Sequence, residues 1–294
     1  MSYVTTNDLV KVYRTGSLEV QALRGLNLTL REGEFVSIIG PSGSGKTTLL
    51  NILGGLDEPT AGTATVAGQS LSLMNSKEII EFRRLTVGHI FQTLNLIPTL
   101  TAMENIELAM IAAKMPRSKR HERANELLEV VGLSGRAKHK PGELSGGEQQ
   151  RVAIAAAMGN DPPIILADEP TGELDTTTAQ QVVDYLLKIN KELSKTILMV
   201  THDDSVARQT HRILRIEDGV IKGEYTPSSM PTEKGATSYI DQVRQRINDL
   251  DRDLTNLDKE FKTDKITGQE YFDERKRITE AKKALKDELH RMGA

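Results

Sequence analysis

Apolar residues change their period several times along the first 225 positions. Residues 18–30 read LEVQALRGLNLTL, apolar and polar by turns, which predicts a strand or hairpin with one buried face. Three shorter runs are almost wholly apolar: EFVSIIG (34–40), PIILADE (163–169) and TILMVTHD (196–203). Such runs suit parallel strands covered on both faces, and their ends carry the glycine and polar residues that gather where these strands stop. RILRIEDGVIKG (212–223) sets Asp218-Gly219 between two apolar runs and predicts a hairpin. Residues 100–158 have a helical rhythm instead, in TAMENIELAMIAAKM, then KRHERANELLEVVGL, then a segment opened by LSGGE. The pattern is that of an α/β core with a mostly helical insert.

The rhythm stops at TPSSMPTEKGAT (226–237), rich in Pro, Ser and Thr and read as a linker. Beyond it, residues 238–294 hold equal numbers of acidic and basic side chains and no proline. Ile240, Val243, Ile247, Leu250, Leu254, Leu257 and Phe261 alternate spacings of three and four, a coiled-coil seam. A break at Ile266-Thr267-Gly268 precedes Tyr271, Ile278, Leu285 and Met292, which are seven apart. This tail predicts a charged helical hairpin that self-associates or docks on a partner, or merely folds on itself. The expected organisation is therefore a domain over 1–225 with a helical subdomain at about 94–160, a linker over 226–237 and a helical tail over 238–294.

Composition narrows the function. A chain of 294 residues with a net charge of −3 lacks the basic excess of a bulk nucleic-acid binder. It has no cysteine, so disulfides and thiolate metal sites are excluded. MSYVTTNDLVKVYR lacks the basic flank and apolar run of a signal peptide. The longest stretch without Lys, Arg, Asp or Glu, residues 85–103, is too polar to span a bilayer.

The chemistry begins at GPSGSGKT: Gly40, Pro41, Ser42, Gly43, Ser44, Gly45, Lys46 and Thr47, followed by Thr48. Placed between a strand and a helix, this pattern turns successive backbone N–H groups toward a phosphate. Lys46 adds a point charge, the Thr47 hydroxyl can ligate Mg²⁺, and the next helix presents its positive end. PIILADEP puts Asp168 and Glu169 at a strand end, where Asp168 can hold the hydrated metal and Glu169 can orient or deprotonate the attacking water. His202, after TILMVT, is placed to reach the γ-phosphate. Gln92, ending VGHIFQ, is placed to reach the metal or the water. Tyr13 offers a face for stacking on adenine, or simply packs half-buried in a β region.

LSGGE is a second turn suited to phosphate. Ser145 and Glu148 form a capping box, so a helix should begin at Gly146, and Gly146 and Gly147 leave its first N–H groups bare. The alternative is an ordinary flexible junction between loop and helix.

The motifs GPSGSGKT, Gln92, LSGGE, IILADE, GELD and His202, in this order, resemble the ATP-binding cassette (ABC) ATPases over roughly residues 3–224. The resemblance implies a P-loop NTPase with a RecA-like core, an antiparallel β subdomain and a helical subdomain. It implies MgATP as substrate, with the metal held by Thr47, Gln92 and Asp168 and catalysis by Glu169, His202 and Gln92. It further implies a head-to-tail homodimer in which Ser145, Gly146, Gly147 and Glu148 reach the partner's nucleotide and Asp175 lies at the interface. FQTLNLIPTLTAMENIELAM resembles the lipoprotein-release and macrolide-export branch, whose ATPases drive a separate integral membrane permease from the cytoplasmic face. A permease helix would dock near Gln92 and residues 94–110. Two positions depart from the family pattern: Ala156, where arginine is frequent, and Glu173, in place of a small or amide residue. The other readings are an ABC ATPase that powers envelope remodelling or signalling without transport, and a soluble one acting on DNA or ribosomes. The single P-loop and the interval of about one hundred residues before LSGGE speak against the last.

Overall fold

The computed structural model describes residues 2–16, 18–172 and 174–230, with Leu250, Leu254, Leu257, Tyr271, 275–279 and Lys282 of the tail. The chain divides into two units, residues 1–230 and 231–294. The first contains two sheets. β1 (Ser2–Thr15) and β2 (Leu18–Arg31) pair antiparallel, and β4 (Ala61–Val66) and β5 (Gln69–Ser70) extend them in the order β2-β1-β4-β5. Alternation in β2 buries Leu26, Leu28 and Leu30 on one face, the period the sequence predicted.

The second sheet is six-stranded. It contains β3 (Phe35–Ile39), β6 (Val87–Ile90), β7 (Ile164–Asp168), β8 (Thr196–Val200), β9 (Arg212–Glu217) and β10 (Val220–Tyr225), in the order β10-β9-β3-β8-β7-β6. All neighbours run parallel except β10, which turns back on β9. That turn is the predicted Asp218-Gly219 hairpin, both residues having positive φ.

Strands β7 and β8 are buried at every position because each of their faces enters a different core. Ile165, Ala167, Ile197 and Met199 pack with the helices α3 (Ala102–Ala112), α4 (Arg117–Val130), α5 (Gly146–Ala157) and α6 (Thr176–Leu193). Ile164, Leu166, Leu198 and Val200 pack with α1 (Lys46–Leu53), α2 (Ser76–Leu85) and the antiparallel sheet. The period of two thus sorts one apolar run into two layers. A short α7 (Asp204–Ala207) precedes β9.

The helical insert is tied to the strand side through Asn105. Its side chain is 5% exposed, accepts from Ile97 N at 2.7 Å and donates to the Ile97, Leu100 and Thr101 carbonyls. One amide therefore fixes the loop between Gln92 and α3.

Residues 226–230, where the linker composition starts, pack on the first unit. Met230 joins Ile39, Ala207 and Ile213 in a small core, and Arg208 donates to the Pro227 and Met230 carbonyls. In the second unit Leu250, Leu257, Tyr271 and Ile278 bury against one another, with Leu254 beside them. These five fall on both predicted apolar seams. Ile240, Val243, Ile247, Phe261, Leu285, Met292 and the break at 266–268 lie outside the described residues. Among the described residues no helix is long and apolar enough to cross a membrane.

Candidate functional site

Four adjacent parallel strands end on the same side of the sheet, and each delivers one part of the site. β3 runs into the glycine-rich loop, β8 into His202, β7 into Asp168 and Glu169, and β6 into Gln92. Topology alone therefore gathers groups more than 150 residues apart.

A cavity of about 510 Å³ opens here, lined by Ala22, the loop glycines 40, 43 and 45, Ser42, Lys46, Thr47, Thr48, Gln92, Glu169 and His202. Its floor is the N-terminus of α1. Gly45 caps that helix in a left-handed conformation, no side chain bonds its first N–H groups, and no acidic residue lies in its first turn. The helices α2, α3 and α5 each have a capping box with glutamate at the third position. The positive end of α1 is left open to an external anion. Gly45 is required twice, by its φ of 99° and by the Ala22 carbonyl oxygen, which would lie 2.5 Å from an added Cβ.

Lys46 is buried and donates from Nζ to the Gly40 and Pro41 carbonyls at 2.9 and 2.8 Å. Burial lowers its pKa, while Glu169 and Asp168 pull it back up. Its ammonium is held at the cavity by weak neutral acceptors, which the oxygens of a triphosphate would replace.

Asp168 and Glu169 reach one region by different means. Asp168 continues the face of Ile164 and Leu166, toward α1, with the Thr47 hydroxyl beside its carboxylate. Strict alternation would send Glu169 to the opposite face. Its φ of 45° turns the chain sharply instead, at a cost of about 1–2 kcal/mol for a non-glycine residue, and its carboxylate lines the cavity. Glu169 Oε2 lies 3.3 Å from His202 Nδ1. Burial raises the Asp168 pKa, the Thr47 hydroxyl and Lys46 oppose that, and Glu169 reinforces it. Asp168 Oδ1 is buried without a hydrogen-bond partner. A buried, unsatisfied carboxylate oxygen beside the hydroxyl of Thr47, which itself lines the cavity together with Gln92, fits a hard divalent cation.

Tyr13, Pro41, Ser44 and Asp168 do not line the cavity themselves. Tyr13 donates its hydroxyl to Asp57 Oδ2 at 2.7 Å, and Lys11 Nζ sits 4.9 Å from the centre of its ring. Residues 145–148 and Asp175 also lie outside the lining. The capping box is formed: Ser145 Oγ accepts from Glu148 N at 3.3 Å, and Glu148 Oε2 accepts from Ser145 N at 2.8 Å. Glu148 Oε1 accepts from Arg136 Nε at 3.0 Å, so this carboxylate is committed within its own chain. Ser145 and Gly146 are exposed, whereas Gly147 is buried. Asp175 caps α6, accepting from Thr177 N and Thr178 N. Glu173 lies outside the described residues.

Two features carried no signal in the sequence. Ala22 lines the cavity because β2 passes beside Gly45, a contact no local pattern announces. A second hollow, about 530 Å³, lies between Ile80, Arg84, His89, Phe91, Leu108 and Ala156, among other residues, and is more apolar. Ala156 thus sits in this groove, away from the phosphate cavity.

Residues 23–172 match the ABC transporter family. An ABC transporter ATP-binding protein of Thermotoga maritima is 50% identical over 216 residues, covering 74% of this chain and 92% of that one. A macrolide export ATP-binding/permease protein of Rhodopirellula baltica is 43% identical over 246 residues, 83% of this chain but 33% of that protein. A solved dimer of the ATP-binding cassette MJ0796 of Methanocaldococcus jannaschii, bound to ADP and Pi after hydrolysis, superimposes with a TM-score of 0.71 at 46% identity, over 76% of this chain and 98% of that one. With the cavity built as described and these likenesses spanning nearly the whole first unit, this chain belongs to the ABC transporter family, as an ATP-binding, ATP-hydrolysing subunit.

Proposed function

We propose that two copies of this chain close head to tail on MgATP and that hydrolysis reopens them, driving a separate membrane permease at the cytoplasmic face. The observation that carries this reading is the incompleteness of the cavity. One chain supplies a floor of backbone N–H groups, Lys46, and the strand-end groups Glu169, His202 and Gln92. The other phosphate-suited turn, at 145–147, lines no part of it. A second copy would bring Ser145, Gly146 and Gly147 to the open side, with Asp175 near the junction.

Thr47, Gln92 and Asp168 would hold Mg²⁺, which when bound neutralises charge on the β- and γ-oxygens. Glu169 would serve as the general base, and His202, 3.3 Å from its carboxylate, would hold both Glu169 and the γ-phosphate. Tyr13 would pack against the adenine ring. The groove beside α2 and α3 would receive a permease helix whose apolar face meets Ile80 and Leu108 and whose acidic side meets Arg83 and Arg84. The relative that joins ATPase and permease in one protein makes a permease the natural partner, and the substrate path would belong to that partner.

The test is Glu169→Gln. The variant should bind MgATP, turn it over at least ~100-fold more slowly, and accumulate as a dimer in size-exclusion chromatography. Turnover close to that of the parent would remove Glu169 from the chemistry, and a variant that stays monomeric with saturating MgATP would remove the closed dimer.

A further inference from the structure

Gly147 is buried against a side chain of its own protein. A Cβ built on Gly147 collides with Thr178 Cγ2, while Thr178 Cβ and Oγ1 lie at ordinary contact distances of 3.4 and 3.6 Å. Gly146, its neighbour, meets only Leu174 Cδ2 at 3.8 Å. The two glycines of one motif therefore have different surroundings. Gly147 forms a notch in α5, and the methyl of Thr178 from α6 occupies it.

Thr178 cannot easily swing its methyl away. Its hydroxyl donates to Asp175 Oδ2 at 2.6 Å, and a β-branched residue in a helix has little rotamer freedom at χ1. Asp175 in turn caps α6 through the N–H groups of Thr177 and Thr178. The contact continues along the helix pair. One turn further along α5, Arg151 donates to Gln181 Oε1 at 2.9 Å, and its guanidinium lies 5.8 Å from the centre of the Tyr185 ring. Residues 147 and 151 of α5 thus meet 178, 181 and 185 of α6 along one stripe, the neighbour spacing of packed helices.

We propose that Thr178 is a positioning residue for ATP hydrolysis: its methyl, seated in the notch at Gly147 and locked by Asp175, sets where the first turn of α5 sits. The glycine at 147 is then required by clearance inside one chain, before any phosphate approaches. This rests on the reading that the first turn of α5 serves the nucleotide of a second copy. Through Thr178, the segment that carries Asp175 and the turn that carries Ser145 move as one piece.

The experiment is a double-mutant cycle on the full chain, reading kcat and KM for MgATP. Gly147→Ala should lower kcat by at least ~10-fold, because the added methyl and the locked Thr178 cannot share the notch. Its affinity for MgATP under dilute conditions should stay within about twofold of the parent, since residue 147 lines no part of its own cavity. Thr178→Ser removes the colliding methyl and keeps the hydroxyl for Asp175. Combined with Gly147→Ala, it should raise kcat at least ~3-fold above that of Gly147→Ala alone. If Gly147→Ala fails to fold and the double variant folds, the clearance argument is supported in the same way. A double variant no faster than Gly147→Ala, a double variant that fails to fold where Thr178→Ser folds, or a fully active Gly147→Ala each overturns the proposal. Failure of the paired-copy reading would be seen separately, as a specific activity of the parent protein that does not change on dilution into the monomer range.

Discussion

His89 makes the stability of this protein sensitive to mild acid. It lies in β6 beside the apolar groove, half-buried, with its ring stacked on Phe91 at a centroid distance of 4.3 Å and an angle of 4° between planes. Burial lowers its pKa from 6.5 to about 4. The unfolded chain therefore takes up this proton near pH 6.5, and the folded chain only near pH 4. Between those values the unfolded state binds more protons, so stability is complete above pH 6.5 and drains as pH falls. The gap from 6.5 to about 4 corresponds to a loss of up to about 3 kcal/mol by the lower end of the window. His89→Phe keeps an aromatic ring on Phe91 and takes no proton. The assay is urea unfolding of parent and variant at intervals from about pH 7.5 down to pH 4.5, plotted as the difference between them. Asp57 and Asp203 have lowered pKa values and lose their contribution only below the ordinary carboxylate range, and they do so equally in both proteins. The difference should grow in favour of the variant as pH falls below 6.5. Parallel curves would show that His89 is not held neutral by its surroundings.

Three other perturbations follow from the geometry. Gly45→Ala should abolish nucleotide binding, because φ of 99° and the Ala22 carbonyl both refuse a Cβ; retained binding in a fluorescent-nucleotide titration would refute that. Asp168→Asn should stabilise the nucleotide-free protein at neutral pH, since an acid with a raised folded pKa loses stability as pH climbs through that value. Each kcal/mol relieved is worth roughly 2–4 °C in Tm, while MgATP turnover should disappear; a lowered Tm would contradict the assignment. Asn105→Leu strips partners from the Ile97, Leu100 and Thr101 backbone and should cost roughly 2–3 kcal/mol in denaturant unfolding. An unchanged unfolding midpoint would mean the loop is held elsewhere.

The strands β3, β7 and β8, the hairpin at Asp218-Gly219 and the start of α5 were legible because their signals are local: period, turn chemistry and a capping box within a few residues. The gathering of Lys46, Asp168, Glu169, His202 and Gln92 followed from strand ends in a parallel sheet, which needs only the order of elements. What the sequence could not express is contact across the fold. Ala22 reaches the cavity through the path of β2, Gly147 owes its size to Thr178, and Asn105 closes a loop by four hydrogen bonds to residues four to eight positions earlier. The positive φ of Glu169 belongs to the same class, since no residue type at that position announces a turn. The two glycines of LSGGE look alike in the sequence, whereas in the fold the Cα side of Gly147 packs against Thr178 of α6 and Gly146 is exposed.

The most direct test of the account is the specific ATPase activity at saturating MgATP, followed as the protein is diluted through the range where sedimentation shows dimer giving way to monomer. Paired copies predict that activity per molecule falls with the dimer fraction toward zero. An activity per molecule that stays constant in fully monomeric protein would contradict the claim that each nucleotide needs a second chain.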